Sequence, residues 1–112
     1  MIIGITGHRD RLADTDNLRQ MLTGATLVVH GGAAGFDQQA AAIAQEMGIA
    51  TRAILPDYSE HGRAAPLIRN RQIVEQCNQI IACYDGRKSG GTYYTINYAH
   101  KRHIPVTIVQ AR

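Results

Sequence analysis

The chain has 112 residues, of which 45% are hydrophobic and 19% are charged, and its formal net charge is +3. These values are typical of a globular domain and exclude an intrinsically disordered chain. The length predicts a single domain over residues 1–112. The weak, scattered positive charge argues against a dedicated nucleic-acid-binding surface.

The sequence shows no pattern for export, membrane insertion or metal binding. The apolar start "MIIGIT" is short and is interrupted at once by Gly7, His8 and Arg9, unlike a signal peptide. No apolar run approaches the roughly 20 residues of a membrane-spanning helix. Cys77 and Cys83 lie among apolar residues without metal-ligand spacing, which predicts two reduced, buried thiols. We therefore expect a cytoplasmic protein with no membrane partner, metal or cofactor.

Short apolar runs alternate with helical patterns from one end of the chain to the other. The apolar runs predict β-strands over residues 2–6, 26–30, 50–55, 79–84 and 105–109. Leu18, Met21 and Leu22 share one helical face after the first of these strands. After the second strand, the spacing predicts an amphipathic helix that begins near Phe36 and ends at Gly48.

Two further helices are predicted in the second half of the chain. Residues 56–65 are predicted to form a loop, and Pro66 then lies in the first turn of a helix that reaches about Gln76. The last helix precedes the fifth strand. The inward-facing residues expected on these two helices are Ile73, Val74, Cys77, Ile96, Ala99 and His103.

The alternation of strands and helices predicts an α/β fold. Such chains form parallel strands joined by right-handed crossovers, which here gives a three-layer Rossmann-like fold with a five-stranded parallel sheet. The expected strand order is 3-2-1-4-5, so the first and fourth strands flank the point at which the order reverses. Open sheets of this kind bind ligands at that point, on the carboxyl edge.

Three polar, glycine-containing loops leave the predicted carboxyl edge. They read "TGHRD" after the first strand, "HGGAAGFD" after the second and "DGRKSGGT" after the fourth. Glycine lets a backbone approach a ligand closely, and the free N–H groups at a helix start attract negative charge. The loops therefore predict a phosphate-bearing ligand. They match neither the G-x-G-x-x-G pattern nor a Walker loop, so ordinary NAD binding and ATP hydrolysis are not indicated.

Several side chains near this edge fit either a ligand or an ordinary structural role. Arg9 fits a surface turn or a ligand contact. Asp37 either complements a helix dipole or bonds a ribose or base, and Arg69 is either a solvated charge or a bidentate phosphate ligand. Thr92 either caps its helix or donates its hydroxyl to a phosphate. The tyrosines that either stack on a base or pack half-buried are Tyr58, Tyr93 and Tyr94.

Three longer stretches resemble a known family. "GGAAGFDQQAAAIAQEMGI", "APLIRNRQIV" and "SGGTYYTINYAHKRHIPV" together resemble the SLOG superfamily, in particular its small YspA-like members, which are similar in fold to LOG and DprA proteins. The resemblance spans about residues 31–106. It implies a Rossmann-like fold that binds a nucleotide or nucleotide-derived ligand at the glycine-lined edge, often as a sensor or signalling module.

The resemblance and the three loops together give the expected ligand-binding residues. The positions that match the family are Gly31, Gly32, Gly35, Asp37, Arg69, Asn70, Gly90, Gly91 and Thr92. The loops add Gly7, His8, Arg9 and Ala33. We expect Arg69 to neutralise phosphate charge and Asp37 to bond the ribose or support a loop. The residues expected to cradle phosphate and ribose are Gly7, Gly31, Gly32, Gly90, Gly91 and Thr92.

One position departs from the enzymes that this sequence resembles. LOG phosphoribohydrolases and nucleoside deoxyribosyltransferases have similar glycine–threonine loops, followed by a glutamate where this chain has Thr95. Threonine cannot serve as a carboxylate nucleophile or base at neutral pH, and its hydroxyl can instead bond within its own helix. The sequence therefore favours a protein that holds a nucleotide over one that cleaves it.

Two other functions stay open at this point. The first is cleavage or transfer at an N-glycosidic bond, with Asp37 or Asp85 as the carboxylate. The second is binding of single-stranded nucleic acid, by analogy with DprA, which the low net charge disfavours. A homodimer is compatible with a domain too small to enclose a site easily.

Overall fold

A computed structural model describes residues 1–112. Five strands form one all-parallel sheet in the order β3-β2-β1-β4-β5, which confirms the order and the Rossmann-like fold predicted from the sequence. The strands are β1 (Ile2–Gly7), β2 (Leu27–His30), β3 (Ala50–Ala53), β4 (Gln79–Cys83) and β5 (Val106–Val109).

Five α-helices connect the strands. They are α1 (Thr15–Leu22), α2 (Phe36–Glu46), α3 (Tyr58–His61), α4 (Ala65–Gln76) and α5 (Gly90–Lys101). Gly48, just beyond α2, has a φ of 75°, as a helix-ending glycine requires. Pro66 lies in the first turn of α4, as predicted. None of the helices has the length and apolar character that crossing a membrane requires.

The structure corrects three of the sequence predictions. The segment predicted as a loop contains α3 and a 3₁₀ turn (Gly62–Ala64), which are too short to produce a helical period. The third strand ends at Ala53 instead of continuing through residue 55. His103 does not share the buried face of α5, because the helix ends at Lys101 and His103 is exposed with a φ of 58°.

Each face of the sheet carries its own hydrophobic core. Alternate residues of a strand point to opposite faces, so Val28 and Ile81 pack with α1 and α2, whereas Val29 and Ile80 pack with α4 and α5. Cys77, which directly follows α4, also belongs to the second core. The helix residues that complete the two cores are Leu18, Leu22, Phe36, Ala40, Ile43, Ala44, Ile73, Val74 and Ala99. The two predicted buried thiols, Cys77 and Cys83, are both buried and free.

The strand order sets the position of the site. β1 pairs with β2 on one side and with β4 on the other, and Gly7 lies opposite Cys83 at the carboxyl edge. The chain after β2 enters α2 on one face, and the chain after β4 enters α5 on the opposite face. A crevice therefore opens beyond the end of β1, at the predicted reversal point.

Candidate ligand-binding cleft

A cleft of about 580 Å³ opens at this carboxyl edge, within the size range of small-molecule sites. It is lined by the end of β1, the loop that follows, the start of α2, the first part of α4 and the start of α5. The expected residues that it brings together are Gly7, His8, Arg9, Ala33, Asp37, Arg69, Asn70, Gly90, Gly91 and Thr92. Gly31, Gly32 and Gly35 do not line it.

Sequence reasoning missed several residues of the cleft. They are Ile5, Thr6, Asp10, Pro66, Leu67, Ile73, Arg87 and Ser89. Arg87 and Ser89 lie inside the glycine loop after β4. Their charged and hydroxyl side chains, in a loop already expected to bind phosphate, could have identified them as cleft residues. Pro66 and Leu67 gave no signal beyond their place in the first turn of a helix.

The second glycine segment, residues 90–92, is open towards the cleft. α5 begins at Gly90, and the preceding Ser89 makes no capping hydrogen bond with its side chain. The first N–H groups of this helix therefore have no side-chain acceptor from the chain. Thr92 is the third residue of α5 and not its N-cap, so the capping role considered for it is wrong. Its side chain is buried against the cleft wall and forms no hydrogen bond within the chain.

The first glycine segment, residues 31–35, is closed by the protein's own acceptors. The N–H of Gly31 donates to Oδ2 of Asp37 over 2.9 Å, and that of Ala33 donates to the same oxygen over 3.4 Å. The N–H of Gly32 donates to Nδ1 of His30 over 3.0 Å. These N–H groups, which the sequence offered to a phosphate, are therefore already occupied.

Close packing explains why glycine stands at two of these positions. A Cβ on Gly31 would lie 2.5 Å from Nη1 of Arg69. A Cβ on Gly35 would collide with the carbonyl group of Arg9, and Gly35 also has a φ of 77°, which disfavours any other residue. The glycines of the first segment thus let α4 and the loop after β1 approach the backbone.

Two guanidinium groups face the cleft without a carboxylate partner. Arg69 is only 9% exposed, which excludes a solvated charge, and it donates from Nη1 to the Gly31 carbonyl and from Nε to the Asn70 amide oxygen. Its Nη2 forms no hydrogen bond within the chain. Burial lowers the pKa of Arg69, the nearby Asp37 partly offsets this, and the charge of Arg9 lowers the pKa further. Neither Arg9 nor Arg69 forms a salt bridge.

No family model and no curated protein matches the sequence, but solved structures match its fold. DNA processing protein A (DprA) from Streptococcus pneumoniae is similar with a TM-score of 0.76 and 16% identity, covering 95% of this chain and 49% of that chain. TM1055, a structural genomics target, is similar with a TM-score of 0.68 and 19% identity, covering 94% of this chain and 71% of that chain. The chain therefore shares its Rossmann-like fold with these two structures. It spans about half the length of DprA, and its membership of the SLOG superfamily, including the YspA-like subtype, stays a prediction.

Asp37 is the one deeply buried carboxylate of the cleft. It is 6% exposed, and its Oδ2 accepts the two N–H groups of the first glycine segment, whereas its Oδ1 forms no hydrogen bond within the chain. Burial raises the pKa of Asp37, and the hydrogen bonds from Gly31 and Ala33 oppose that rise. Burial also lowers the pKa of the neighbouring His30, which favours a neutral imidazole that accepts the Gly32 N–H.

Asp85 does not line the cleft, and its carboxylate contacts cationic side chains. Arg87 donates to both of its carboxylate oxygens, and Nε of Arg11 lies 3.8 Å from Oδ2. The hydrogen bonds from Arg87 hold the pKa of Asp85 well below its usual range. His8, which lines the cleft, places Nε2 3.2 Å from Oδ1 of Asp85. The carboxylate is therefore ionised and engaged, and it helps to fix the loop after β4.

Thr95 faces the interior of the domain instead of the cleft. It is 1% exposed, and its hydroxyl donates to the carbonyl oxygen of Gly91 over 2.7 Å. This bond to the residue four positions earlier confirms the expectation from the sequence. The position at which the similar enzymes have a glutamate therefore presents neither a carboxylate nor a free hydroxyl to a ligand.

Proposed function

We propose that the cleft binds a nucleotide or a nucleotide-derived ligand, with a phosphate between Arg9, Arg69 and the start of α5. The observation that carries this proposal is that Arg9 and Arg69 both line the cleft and that neither forms a salt bridge. Like charges repel, so the arrangement is most favourable when an anion lies between them. Guanidinium groups and phosphate oxygens form strong, charge-assisted hydrogen bonds.

The start of α5 supplies the rest of the phosphate seat. Its first N–H groups have no side-chain acceptor, and the helix dipole adds positive potential at that end. The hydroxyl of Thr92 lines the cleft and has no partner in the chain, so it can donate to a phosphate oxygen. Gly91 lines the cleft beside Asn70 and presents only its backbone to the ligand.

The remaining surface of the cleft suits the sugar and the base. Oδ1 of Asp37 is a free acceptor, which fits a ribose hydroxyl better than a phosphate. Pro66 and Leu67 add apolar surface at the start of α4, where the flat face of a base can pack. Thr95 stands where the enzymes that the sequence resembles have a glutamate, and its buried hydroxyl is bonded to the Gly91 carbonyl. Because that glutamate is missing, we propose that the domain binds its ligand as a sensor or signalling module and does not cleave it.

Calorimetric titration with AMP, GMP, CMP and UMP tests the proposal. We expect at least one of them to bind, and Arg9→Ala to weaken that binding by about tenfold, the scale of one charged hydrogen bond. Arg19→Ala is the matched control, because Arg19 is an exposed arginine on α1 outside the cleft. Absence of binding to all four nucleotides would overturn the proposal. Equal losses of affinity in Arg9→Ala and Arg19→Ala would show that the phosphate does not bind beside Arg9.

One observation favours a second function, cleavage of an N-glycosidic bond. Asp37 lies in the cleft with a pKa raised by burial, as a carboxyl group that exchanges protons near neutral pH requires. In such a reaction water attacks the anomeric carbon, the base departs with the bonding electron pair, and a proton reaches the base. Chromatography of nucleoside monophosphates and deoxynucleosides incubated with the protein tests it. Base release that Asp37→Asn abolishes would promote this function, whereas its absence leaves binding alone.

A further inference from the structure

A second groove continues from the cleft around the first turn of α5. It has a volume of about 570 Å³ and shares Ser89 and Gly90 with the cleft. Apart from the neighbouring residues and the backbone of α5 itself, no atom lies within 4 Å of the place where a Cβ on Gly90 would stand, so the space beside the shared Gly90 is open. A single extended ligand can therefore occupy both.

The groove combines positive charge with aromatic rings. Its cations are Arg71, Lys88 and Lys101, its rings are Tyr93, Tyr94 and Tyr98, and no carboxylate lines it. Neither lysine forms a salt bridge. Cations without partners attract phosphate, and tyrosine rings offer stacking faces to a base. The cleft, by contrast, is lined by two acidic residues, Asp10 and Asp37, and by no tyrosine, phenylalanine or tryptophan.

The aromatic surface of the groove is held in place before any ligand arrives. Nε of Arg71 donates to the hydroxyl of Tyr94, and its guanidinium lies 5.8 Å from the Tyr94 ring centre and 5.6 Å from that of Tyr98. The Tyr98 hydroxyl donates to Oε2 of Glu75 over 2.7 Å. A stacking surface that is already ordered loses little side-chain entropy when a flat group binds.

We propose that this groove is a second subsite and that the natural ligand is a dinucleotide, with one nucleotide unit in the cleft and the second in the groove. The base of the second unit stacks on the tyrosine surface. The phosphate of the second unit is the phosphodiester link itself, which passes Gly90 and lies in the positive potential of Lys88 and Lys101. This inference rests on the proposed function of the cleft and adds the size and charge of the ligand.

The test compares three ligands that share one base. They are the mononucleotide among AMP, GMP, CMP and UMP that binds most tightly, its diphosphate, and its 5′-phosphorylated dinucleotide. We expect the dinucleotide to bind about tenfold more tightly than the diphosphate, the scale of one stacked base. The diphosphate controls for charge, since it also has two phosphates but only one base.

Variants of the groove separate this inference from the function of the cleft. Lys88→Ala/Lys101→Ala and Tyr93→Ala should each reduce the advantage of the dinucleotide at least threefold and leave the affinity for the mononucleotide unchanged. Arg19→Gln controls for lost charge. A dinucleotide that binds no better than the diphosphate overturns the second subsite while the cleft still binds a mononucleotide.

Two further outcomes would also overturn the proposal that the ligand is a dinucleotide. Binding of none of the three ligands removes the function of the cleft and the second subsite together. An affinity that keeps rising from two to twelve nucleotides, with a steep loss in salt, identifies single-stranded nucleic acid as the ligand instead.

Discussion

The two glycine segments occupy equivalent places in the fold but use glycine differently. Each follows a strand at the carboxyl edge and precedes a helix. In residues 31–35, Asp37 and His30 accept the N–H groups, and the glycines admit Arg69 and the loop after β1. In residues 90–92, no side chain accepts the N–H groups at the start of α5. The first segment therefore builds the wall of the cleft, and the second faces the ligand.

The side chains that follow each segment create this difference. Asp37, in the first turn of α2, directs a carboxylate back to the preceding N–H groups. In α5 the corresponding polar residues are Thr92, whose hydroxyl is free, and Thr95, whose hydroxyl bonds a carbonyl instead of an N–H group. A glycine pair alone does not identify an anion site, because an acidic residue just beyond it can occupy the same donors.

The largest effect is expected for a carboxylate at the position of Thr95. Thr95→Glu buries a charge without a partner, so the free energy of unfolding should fall by about 3 kcal/mol or more. Thr95→Val is the control, because it removes only the hydroxyl bond to Gly91 and should cost about 1 kcal/mol. Urea unfolding measures both variants. A Thr95→Glu variant with the stability of the wild type and steady base release would contradict the inward orientation.

Alanine at two glycines with positive φ compares the two segments directly. Gly35→Ala suffers backbone strain and a collision with the Arg9 carbonyl, which together should lower the free energy of unfolding by about 3 kcal/mol. Gly90→Ala has a φ of 90° but open space around the new Cβ, so about 1–2 kcal/mol of strain should remain. Equal losses in thermal or chemical unfolding would show that close packing is not what the first segment needs.

Replacement of the two cleft arginines separates binding from packing. Arg69→Ala should weaken binding of the mononucleotide by about 1.5–3 kcal/mol and also lower the stability, because the buried Gly31 carbonyl loses its donor. Arg9→Ala should weaken binding without loss of stability, since Arg9 is exposed and forms no salt bridge. Calorimetry that gives unchanged affinity for Arg69→Ala would leave Arg69 with a packing role alone.

The smallest effect concerns the pH dependence of stability at Asp37. Burial raises its pKa in the folded protein, so the folded state binds a proton more tightly than the unfolded state. The resulting stability is complete below the unfolded pKa and is lost as pH rises through the folded pKa. Asp37→Asn should remove this decline and be relatively more stable at neutral pH. Thermal unfolding from pH 3 to pH 8 measures the difference, and parallel curves would show that Asp37 has no raised pKa.

Sequence patterns were sufficient for the architecture and for most of the cleft. Hydrophobic periodicity located the strands and the main helices, and the alternation of the two gave the sheet order. The four-residue spacing from Gly91 to Thr95 also allowed the helix-internal hydroxyl bond to be foreseen. These features depend on the spacing of residues that are close together in the chain, which can be read from the sequence alone.

The missed features depend on contacts that spacing does not state. The bond from Arg69 to the Gly31 carbonyl joins residues 38 positions apart, so spacing does not predict that α4 packs against the first glycine segment. α3 is a single turn and gives no period. His103 was assigned by spacing to a helix that ends at Lys101, and His103 is itself the left-handed residue that follows the helix. These features depend on contacts between distant parts of the chain and on the points at which the backbone turns, which hydrophobic spacing does not indicate.

An amide titration by NMR tests the central claim most directly. Nitrogen-15-labelled protein is titrated with the mononucleotide that binds most tightly, and the changes in amide chemical shift are compared between the two segments. The account predicts that the largest changes occur at Gly90, Gly91 and Thr92, whereas the amides of Gly31 and Gly32 change little because Asp37 and His30 already accept their protons. Larger changes at Gly31 and Gly32 than at the start of α5 would contradict it.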